Sequence, residues 1–319
     1  MEKEEKMFKM ITIQFNERCC IRCTYCFAGN SEIRPADHPL SEENFQRFMD
    51  FCIRNDVDMV RVTGGEPFLH SQAWRMLEQL KRFQLNILTN LVVPHCVEKM
   101  NPQKGRVAFL INYNDRQQYT ENQWESLQEN LRELKKREIT AGLGYNVYKK
   151  DFDMSDVIQK TKALGSRRLR LSIANPSFDG RTQVLKLEEI REVVHQLTLI
   201  SRKLWEEDKI EAFFDCPIAP CLVDQEDYAY MASKNRIRNQ CSSMLFFESD
   251  LSLSHCYTTD RLREKIYLDD CKDYQTAVKM SEQMLRDIQN KVKRWEQCKT
   301  CTNIYKASDI CGCFANYGC

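Results

Sequence analysis

Short apolar runs alternate with amphipathic stretches from Ile11 to about Asp208. The runs are rich in β-branched residues and leucine, which is typical of strands that are buried in a parallel sheet. They lie at residues 10–15, 59–63, 85–89, 106–112, 141–148 and 168–174. Because helical patterns fall between these runs, we predict six strand–helix units with a parallel sheet and helices on one side of it.

The helical stretches show both a start signal and an apolar face. Ser41 is the expected N-cap of the first helix, and it is followed by Glu42 and Glu43, which suit the positive end of the helix dipole. Apolar residues then recur at i, i+3, i+4 and i+7, which places them on one helix face. This spacing is found in Phe45, Phe48, Met49 and Cys52 and in a last helix over about 187–206. Trp124, Leu127, Leu131 and Leu134 lie on one face in the same way, at i, i+3, i+7 and i+10.

The number of units predicts the architecture. Eight strand–helix units close a barrel, so six predict a partial, open (β/α)6 TIM-like barrel, with its chemistry at the C-terminal ends of the strands. After Ile210 the alternation stops, and cysteines, turns and one long helical stretch at about 274–295 take over. We therefore expect two domains, the partial barrel at 11–208 and a small cysteine-rich domain at 209–319.

Net charge, apolar stretches and cysteine content limit the classes of function that the chain can have. The formal net charge is +1, from 47 basic and 46 acidic residues, which argues against a nucleic-acid or membrane surface. No apolar stretch is long enough to span a bilayer and the N-terminus lacks a signal peptide, so we expect a cytoplasmic protein. In a reducing compartment disulfides are rare, and 16 cysteines then indicate metal binding or catalysis.

The first predicted strand runs directly into the segment CCIRCTYCF at residues 19–27. Cys19, Cys23 and Cys26 have the spacing C-x3-C-x2-C, with Tyr25 just before the last cysteine, and we call these three residues the cysteine triplet. Three thiolates can hold three irons of a cubane cluster and leave the fourth iron open. Cys20 allows a ferredoxin-like C-x2-C-x2-C alternative, but the fourth cysteine and the proline of that motif are missing nearby. Zinc is the other alternative.

The second predicted strand ends in TGGEP, about 40 residues after the triplet. We call Gly64, Gly65, Glu66 and Pro67 the GGEP segment. Its glycines allow a backbone to approach a ligand closely, and its acidic side chain can receive a ligand's ammonium group.

The cysteine triplet with Tyr25 and the GGEP segment together resemble the radical S-adenosylmethionine (SAM) superfamily over roughly residues 10–208. The resemblance implies a partial (β/α)6 barrel, a 4Fe–4S cluster and SAM as cofactors. It also implies that the amino and carboxylate groups of SAM chelate the open iron and that the GGEP segment contacts the amino group. Reductive cleavage of SAM then yields methionine and a 5′-deoxyadenosyl radical that abstracts a hydrogen atom.

Three polar residues at strand ends are further candidates for contacts with SAM. Asn90 follows Thr89, where relatives have a Thr-Asn-Gly turn, although Leu91 replaces the glycine here. Asn112 ends the fourth predicted strand and Ser172 lies in the sixth. Each can hydrogen-bond the ribose or the methionine carboxylate; alternatively, each satisfies backbone groups at the end of the barrel.

The C-terminal cysteines resemble the SPASM extension of radical SAM enzymes, which binds auxiliary 4Fe–4S clusters. The spacing departs from the family pattern, because Leu251 replaces an expected glycine and nine and one residues replace the later gaps of five and three. A shorter "twitch" extension with one cluster and a zinc site therefore remain alternatives. The cysteines that carry the resemblance are Cys241, Cys256, Cys298, Cys301, Cys311, Cys313 and Cys319.

The family order implies a ligand set for two auxiliary clusters. Cys298, Cys301, Cys311 and Cys319 would hold the outer cluster, and Cys241, Cys256 and Cys313 the inner one. Its fourth ligand would be Cys216 or Cys221, from the segment DCPIAPC. The other thiol of that segment is a candidate catalytic group that donates a hydrogen atom to the substrate radical.

Four further residues are assigned no ligand role in this scheme. Cys271 has no assigned role, and Cys52 and Cys96 are expected to be ordinary buried thiols. We expect His195 to be a core group.

Relatives with SPASM extensions mostly modify peptides or proteins, so the resemblance implies a peptide maturase that forms a cross-link or thioether or epimerises a residue. A sulfatase-type maturase, a radical SAM enzyme that acts on a small molecule, and a non-catalytic metal-binding interaction protein are the alternatives. The implied partners are a peptide or protein substrate and an external reductant such as flavodoxin or ferredoxin. Because the first predicted strand starts near residue 10, a peptide substrate is expected to be held by the barrel mouth, the C-terminal domain or a separate leader-peptide-binding protein.

Overall fold

The computed structural model describes residues 7–26, 38–176, 182–242, 244–256, 264–291 and 298. Nine strands in these residues form one sheet, in the order β7-β6-β5-β4-β3-β2-β1-β8-β9. All neighbours are parallel except β8 and β9. The strands are β1 (Met10–Gln14), β2 (Met59–Thr63), β3 (Gln84–Thr89), β4 (Val107–Asn112), β5 (Thr140–Val147), β6 (Arg168–Ile173), β7 (Glu211–Phe214), β8 (Phe246–Phe247) and β9 (Leu253–Ser254).

Helices connect the successive parallel strands. They are α1 (Glu42–Arg54), α2 (Ala73–Leu80), α3 (Cys96–Met100), α4 (Glu121–Lys136), α5 (Ser155–Ala163), α6 (Leu187–Asp208) and α7 (Gln225–Ser233). A further helix, α8 (Tyr274–Lys291), follows β9. The predicted start of α1 is confirmed, because the Ser41 side chain accepts a hydrogen bond from the backbone N–H of Asn44 at 3.1 Å. All six predicted strands are present, and the predicted α/β fold with a parallel sheet is confirmed.

The sheet continues past residue 209, where the sequence predicts a domain boundary. β7 begins at Glu211 and pairs in parallel with β6. At the other side of the sheet, β8 pairs in parallel with β1. Strands from the expected second domain therefore flank the six predicted strands on both sides, while the division into two domains remains a prediction.

Side chains alternate along the strands between an apolar core and a more polar face. In β2, Val60 and Val62 are fully buried with the helices in one apolar core, and the intervening Arg61 is half-buried. The same alternation leaves Asn112 in β4 and Asn146 in β5 away from that core. Because all these strands run in parallel, their C-terminal ends share one edge, where the expected site residues lie. None of the helices in the described ranges is long and apolar enough to cross a membrane.

Candidate SAM and iron–sulfur site

The cysteine triplet lies on the loop that leaves the C-terminal end of β1. Cys19 and Cys26 are exposed and Cys23 is half-buried, and the backbone N–H of Cys26 donates to the carbonyl of Cys23 at 3.0 Å. Burial is the main reason why the pKa of Cys23 is raised to about 12, and the nearby thiols of Cys26 and Cys19 add to the effect. Cys23 thus lies near both of the other thiols. Three thiols on one loop are the donor set that three irons of a cubane cluster require, so these residues fit the implied 4Fe–4S group.

Cys19 and Cys20 have opposite environments although they are adjacent. The hydrogen bond from Cys20 lowers the pKa of the Cys19 thiol, whereas the same hydrogen bond and burial raise the pKa of Cys20. The Cys20 side chain packs partly against the core, and its carbonyl accepts from Nε2 of Gln123 at 2.8 Å. Cys19 is therefore the more exposed of the two thiols, which favours it as the first ligand of the predicted register.

The GGEP segment packs directly on the backbone that precedes the triplet. The N–H of Gly65 donates to the carbonyl of Asn16 at 2.9 Å, and the N–H of Glu66 donates to the carbonyl of Arg18 at 2.8 Å. A Cβ atom on Gly65 would overlap the Arg18 carbonyl, and one on Gly64 would lie 2.8 Å from the carbonyl oxygen of Asn16. The glycines thus allow a close backbone approach, and in this structure the segment that approaches is the start of the cysteine loop.

Glu66 is fully buried at the mouth of the sheet. Its carboxylate accepts hydrogen bonds from the hydroxyl of Thr89 at 2.8 Å and from the backbone N–H of Asn90 at 2.8 Å and Phe68 at 3.2 Å. Burial nevertheless raises the pKa of this carboxyl to about 8. A cationic group placed beside it would favour the ionised form, as expected for a residue that receives an ammonium group. Pro67 opens the short 3-10 helix Pro67–Leu69 that follows.

The Tyr25 hydroxyl is held by three asparagine side chains from β4, β5 and the loop after β4. It donates to Oδ1 of Asn114 and accepts from Nδ2 of Asn112 at 3.1 Å and of Asn146 at 3.2 Å. The Tyr25 ring also stacks on Tyr148, with ring centroids 5.2 Å apart. Asn112, expected to contact SAM, therefore donates to Tyr25, and the network fixes the cysteine loop to the ends of two neighbouring strands.

Sequence reasoning did not single out Asn114 and Asn146. Asn146 lies opposite Ser172 in the β5–β6 register, and Ser172 itself is buried. Asn114 comes two residues after the end of β4. The rule that site residues follow the C-terminal ends of parallel strands could have found both.

Asn90 contacts the cysteine loop. Its Nδ2 lies 3.5 Å from Sγ of Cys19 and 3.7 Å from Sγ of Cys20. Its predicted contact with SAM stays a prediction, as do those of Asn112, Ser172 and the GGEP segment.

The residues that form this site match a known protein family. Residues 13–141 match the model of the radical SAM superfamily. This stretch, about two fifths of the chain, matches a radical SAM domain. The match supports the predicted superfamily, and it bears out the predicted radical SAM enzyme class and the predicted cofactors, a 4Fe–4S cluster and SAM.

Curated relatives of the radical SAM domain include two bacterial GTP 3′,8-cyclases. The enzyme from Mesorhizobium japonicum is 33% identical over 72 residues, which are 23% of this chain and 22% of the relative. The enzyme from Campylobacter lari is 26% identical over 110 residues, or 34% of either chain. These alignments span about a fifth to a third of the relatives' length.

Similar solved structures cover nearly the whole chain. Streptococcus suis SuiB bound to S-adenosylmethionine superimposes with a TM-score of 0.68 and 13% identity, over 97% of this chain and 74% of SuiB. The protein anSMEcpe, solved with AdoMet and a peptide, gives a TM-score of 0.68 and 11% identity over 96% of this chain and 89% of its own. At these identities the similarity shows a common fold.

Beyond the radical SAM domain, the two cysteines of DCPIAPC have different surroundings. Cys216 follows β7, is half-buried, and lies 3.9 Å from Nδ2 of Asn175, which follows β6. Cys221 is exposed in the 3-10 helix Pro220–Leu222, and its carbonyl accepts from Nη2 of Arg191 at 2.8 Å. Of the two, Cys216 is therefore the one at the strand-end edge of the sheet.

Cys241 and Cys256 are brought together after β7. Burial, followed by the thiol of Cys256, raises the pKa of Cys241 to about 12. Sγ of Cys241 also lies 3.1 Å from Nε2 of His255. Cys298 is half-buried and packs against the core. Cys301, Cys311, Cys313 and Cys319 lie outside the described residues, so the auxiliary ligand set remains a prediction.

Two residues without a predicted ligand role have clear partners. Cys271 is buried, with its sulfur 3.7 Å from the Tyr267 carbonyl and 3.7 Å from Sδ of Met280. The expectation that His195 is a core group is wrong, because its side chain is 49% exposed. Its Nδ1 pairs with Oδ2 of the buried Asp227 at 2.6 Å on the surface between α6 and α7.

Proposed function

We propose that this protein reductively cleaves SAM and uses the resulting radical to modify a peptide or protein substrate. The carrying observation is that the GGEP segment after β2 packs on the backbone leading to the cysteine triplet after β1, through the contact of Gly65 with Asn16. Cys19, Cys23 and Cys26 would hold the cluster. When bound, the cluster and SAM supply an electron and the 5′-deoxyadenosyl radical.

The chain's own residues bind and orient SAM in this proposal. Glu66 offers a buried carboxyl to an ammonium group. Burial raises the pKa of this carboxyl, and a cationic ligand beside it would lower that pKa and stabilise the carboxylate. Tyr25, fixed by stacking on Tyr148 and by its bound hydroxyl, presents a rigid aromatic surface beside the triplet. Burial of both residues excludes water from this side of the site.

A peptide substrate is supported by the solved structures of similar fold. SuiB has been solved bound to its precursor peptide SuiA, with a TM-score of 0.68 over 97% of this chain. The expected SPASM or twitch extension would supply one or two auxiliary clusters. Cys241 and Cys256, which lie close together in the sequence region of the extension, are its first ligands in this proposal.

A small anionic substrate is the second candidate, favoured by two arginines on the polar face of the sheet. Burial, followed by the charge of Arg170, lowers the pKa of Arg61, whose Nε is buried without a hydrogen-bond partner in the described part of the chain. Arg170 pairs with Asp215 at 3.1 Å. Two cations with one carboxylate leave a positive charge that a substrate carboxylate or phosphate would neutralise.

Gly144 makes room for this arrangement. A Cβ atom there would lie 2.7 Å from Nη2 of Arg170, so the guanidinium occupies the space of the missing side chain. Arg61 is on β2 and Arg170 on β6, with β3, β4 and β5 between them in the sheet. Their electrostatic contact therefore requires a curved sheet, as in an open barrel.

One assay separates the two substrate classes. Anaerobically reconstituted protein is mixed with SAM, a reductant and either a peptide encoded beside its gene or GTP, and 5′-deoxyadenosine and substrate mass are measured. A mass change in the peptide that persists in Arg61→Gln supports the proposal. A GTP product that is lost in Arg61→Gln would replace it with the small-molecule alternative.

A further inference from the structure

Two buried carboxamides point their NH2 groups at sulfurs of the cysteine triplet. Nδ2 of Asn114, after β4, lies 3.2 Å from Sγ of Cys23. Nδ2 of Asn90, after β3, lies 3.5 Å from Sγ of Cys19. The two asparagines are 3% and 6% exposed, whereas Cys23 is half-buried and Cys19 is exposed.

The orientation of Asn114 is determined by its other contacts. Its Oδ1 accepts from the Tyr25 hydroxyl and from Nδ2 of Asn112 at 3.1 Å. Its backbone N–H donates to the Tyr119 hydroxyl at 2.8 Å. A flipped side-chain amide would set its NH2 group against the Nδ2 donor of Asn112, so the NH2 group is kept toward Cys23.

Asn90 is oriented in the same way. Its Oδ1 accepts from the backbone N–H of Val92 at 3.1 Å, and its own backbone N–H donates to Oε2 of Glu66 at 2.8 Å. The side-chain NH2 group thus faces the two adjacent thiols, with Cys19 at 3.5 Å and Cys20 at 3.7 Å. Two strand ends therefore each supply one oriented donor to a different sulfur of the triplet.

We propose that Asn114 and Asn90 are positioning residues that raise the reduction potential of the cluster held by the triplet. Reduction adds negative charge to the cluster and its sulfurs, and an N–H···S hydrogen bond stabilises that charge. The effect is larger for Asn114 because its contact is shorter. This inference rests on the proposed function, in which Cys19 and Cys23 are cluster ligands.

The test is a redox titration of the reconstituted full chain, monitored through the EPR signal that changes when SAM is added. Asn114→Asp keeps an acceptor for Tyr25 and removes the donor to Cys23, and Asn114→Ala removes the donor without adding charge. Both are expected to lower the midpoint potential by an amount equivalent to about a tenfold shift in the redox equilibrium, about 59 mV for one electron. Asn90→Asp is expected to lower it less.

Asn146→Asp is the matched control, because Asn146 belongs to the same network through Tyr25 and Asn112, and its hydrogen bonds go to those two residues. It adds the same charge and is expected to change the potential by less than a third as much as Asn114→Asp. Wild-type potentials in the Asn114 variants and in Asn90→Asp, with full iron, would overturn the inference. If the Asn114 variants fail to load iron, Asn90→Asp alone decides.

A ligand control separates this inference from the proposed function. Cys23→Ala is expected to lose the SAM-responsive signal. If that signal persists at full intensity, the ligand assignment fails and the inference fails with it. If it is lost while every asparagine variant keeps the wild-type potential, only the inference is wrong.

Discussion

The hydroxyl oxygen of Thr89 lies 2.8 and 2.9 Å from the two carboxylate oxygens of Glu66. The same oxygen accepts the backbone N–H of Leu91 at 2.8 Å. This contact joins the end of β3 to the GGEP segment and holds a fully buried carboxyl at the mouth of the sheet. The site therefore contains a carboxyl whose charge depends on what binds beside it.

Replacing Glu66 by glutamine should change how stability depends on pH. Burial raises the pKa of Glu66 from 4.5 to about 8, so the folded protein holds a proton that the unfolded chain releases. Stability from this group is present below pH 4.5 and is lost as pH rises toward 8. In denaturant unfolding without SAM, the free energy of unfolding of Glu66→Gln should therefore rise relative to that of wild type. The expected rise is up to about 1.4 kcal/mol per pH unit in that window.

The control for this comparison is SAM itself. An ammonium group beside Glu66 favours the ionised carboxyl, so SAM should stabilise wild type more than Glu66→Gln at pH 8. Parallel stability curves for the two proteins, with or without SAM, would show that Glu66 does not titrate in this range.

Gly65→Ala should damage the site because its Cβ would overlap the backbone carbonyl of Arg18. Backbone cannot rotate away as a side chain does, so we expect a loss of about 1–3 kcal/mol in the free energy of unfolding and weaker SAM binding. Gly142→Ala is the matched control, since its Cβ would meet its nearest neighbours at 3.9 and 4.0 Å. Equal unfolding free energies for the two variants would contradict the close-approach role of Gly65.

Single cysteine variants test the register of the triplet. Cys20→Ala should keep the cluster and SAM cleavage, because Cys20 packs partly against the core whereas Cys19 is exposed. Cys19→Ala should lose both. Iron content and 5′-deoxyadenosine release measure the outcome, and the reverse pattern would assign Cys20 as the ligand.

Iron analysis of C-terminal variants tests the auxiliary clusters. Cys241→Ala and Cys256→Ala should each lower the iron content by up to about four atoms per chain, the content of one cubane. Cys271→Ala is the control, because that thiol is buried against Tyr267 and Met280 and should keep full iron. Zinc in place of iron and sulfide, lost in the first two variants, would indicate a zinc site.

The central strands and the main motifs were predictable because their signals are local. An apolar run, the capping side chain of Ser41 and the spacing of Cys19, Cys23 and Cys26 can each be recognised within a dozen residues. β8 has only two residues, Phe246 and Phe247, and exists because it pairs with β1 far earlier in the chain. Such a strand has no periodicity of its own.

The same reason explains the site residues that sequence analysis missed. The predicted contact of Asn112 with SAM stays a prediction, while its hydrogen bond to the Tyr25 hydroxyl was not foreseen. Asn114 and Asn146 acquire their roles only because β4 and β5 are neighbours and the cysteine loop crosses their ends. Hydrogen bonds between side chains of neighbouring strands depend on which strands pair and in which register. The spacing of residues in one sequence does not reveal either.

Release of 5′-deoxyadenosine from SAM tests the central claim most directly. Anaerobically reconstituted wild type with a strong reductant should release it, as should Cys52→Ala, which alters a fully buried core thiol. The Cys19→Ala, Cys23→Ala, Cys26→Ala triple variant should release none and lack the SAM-responsive EPR signal. Release at the wild-type rate by the triple variant, or no release by fully loaded wild type, would contradict the account.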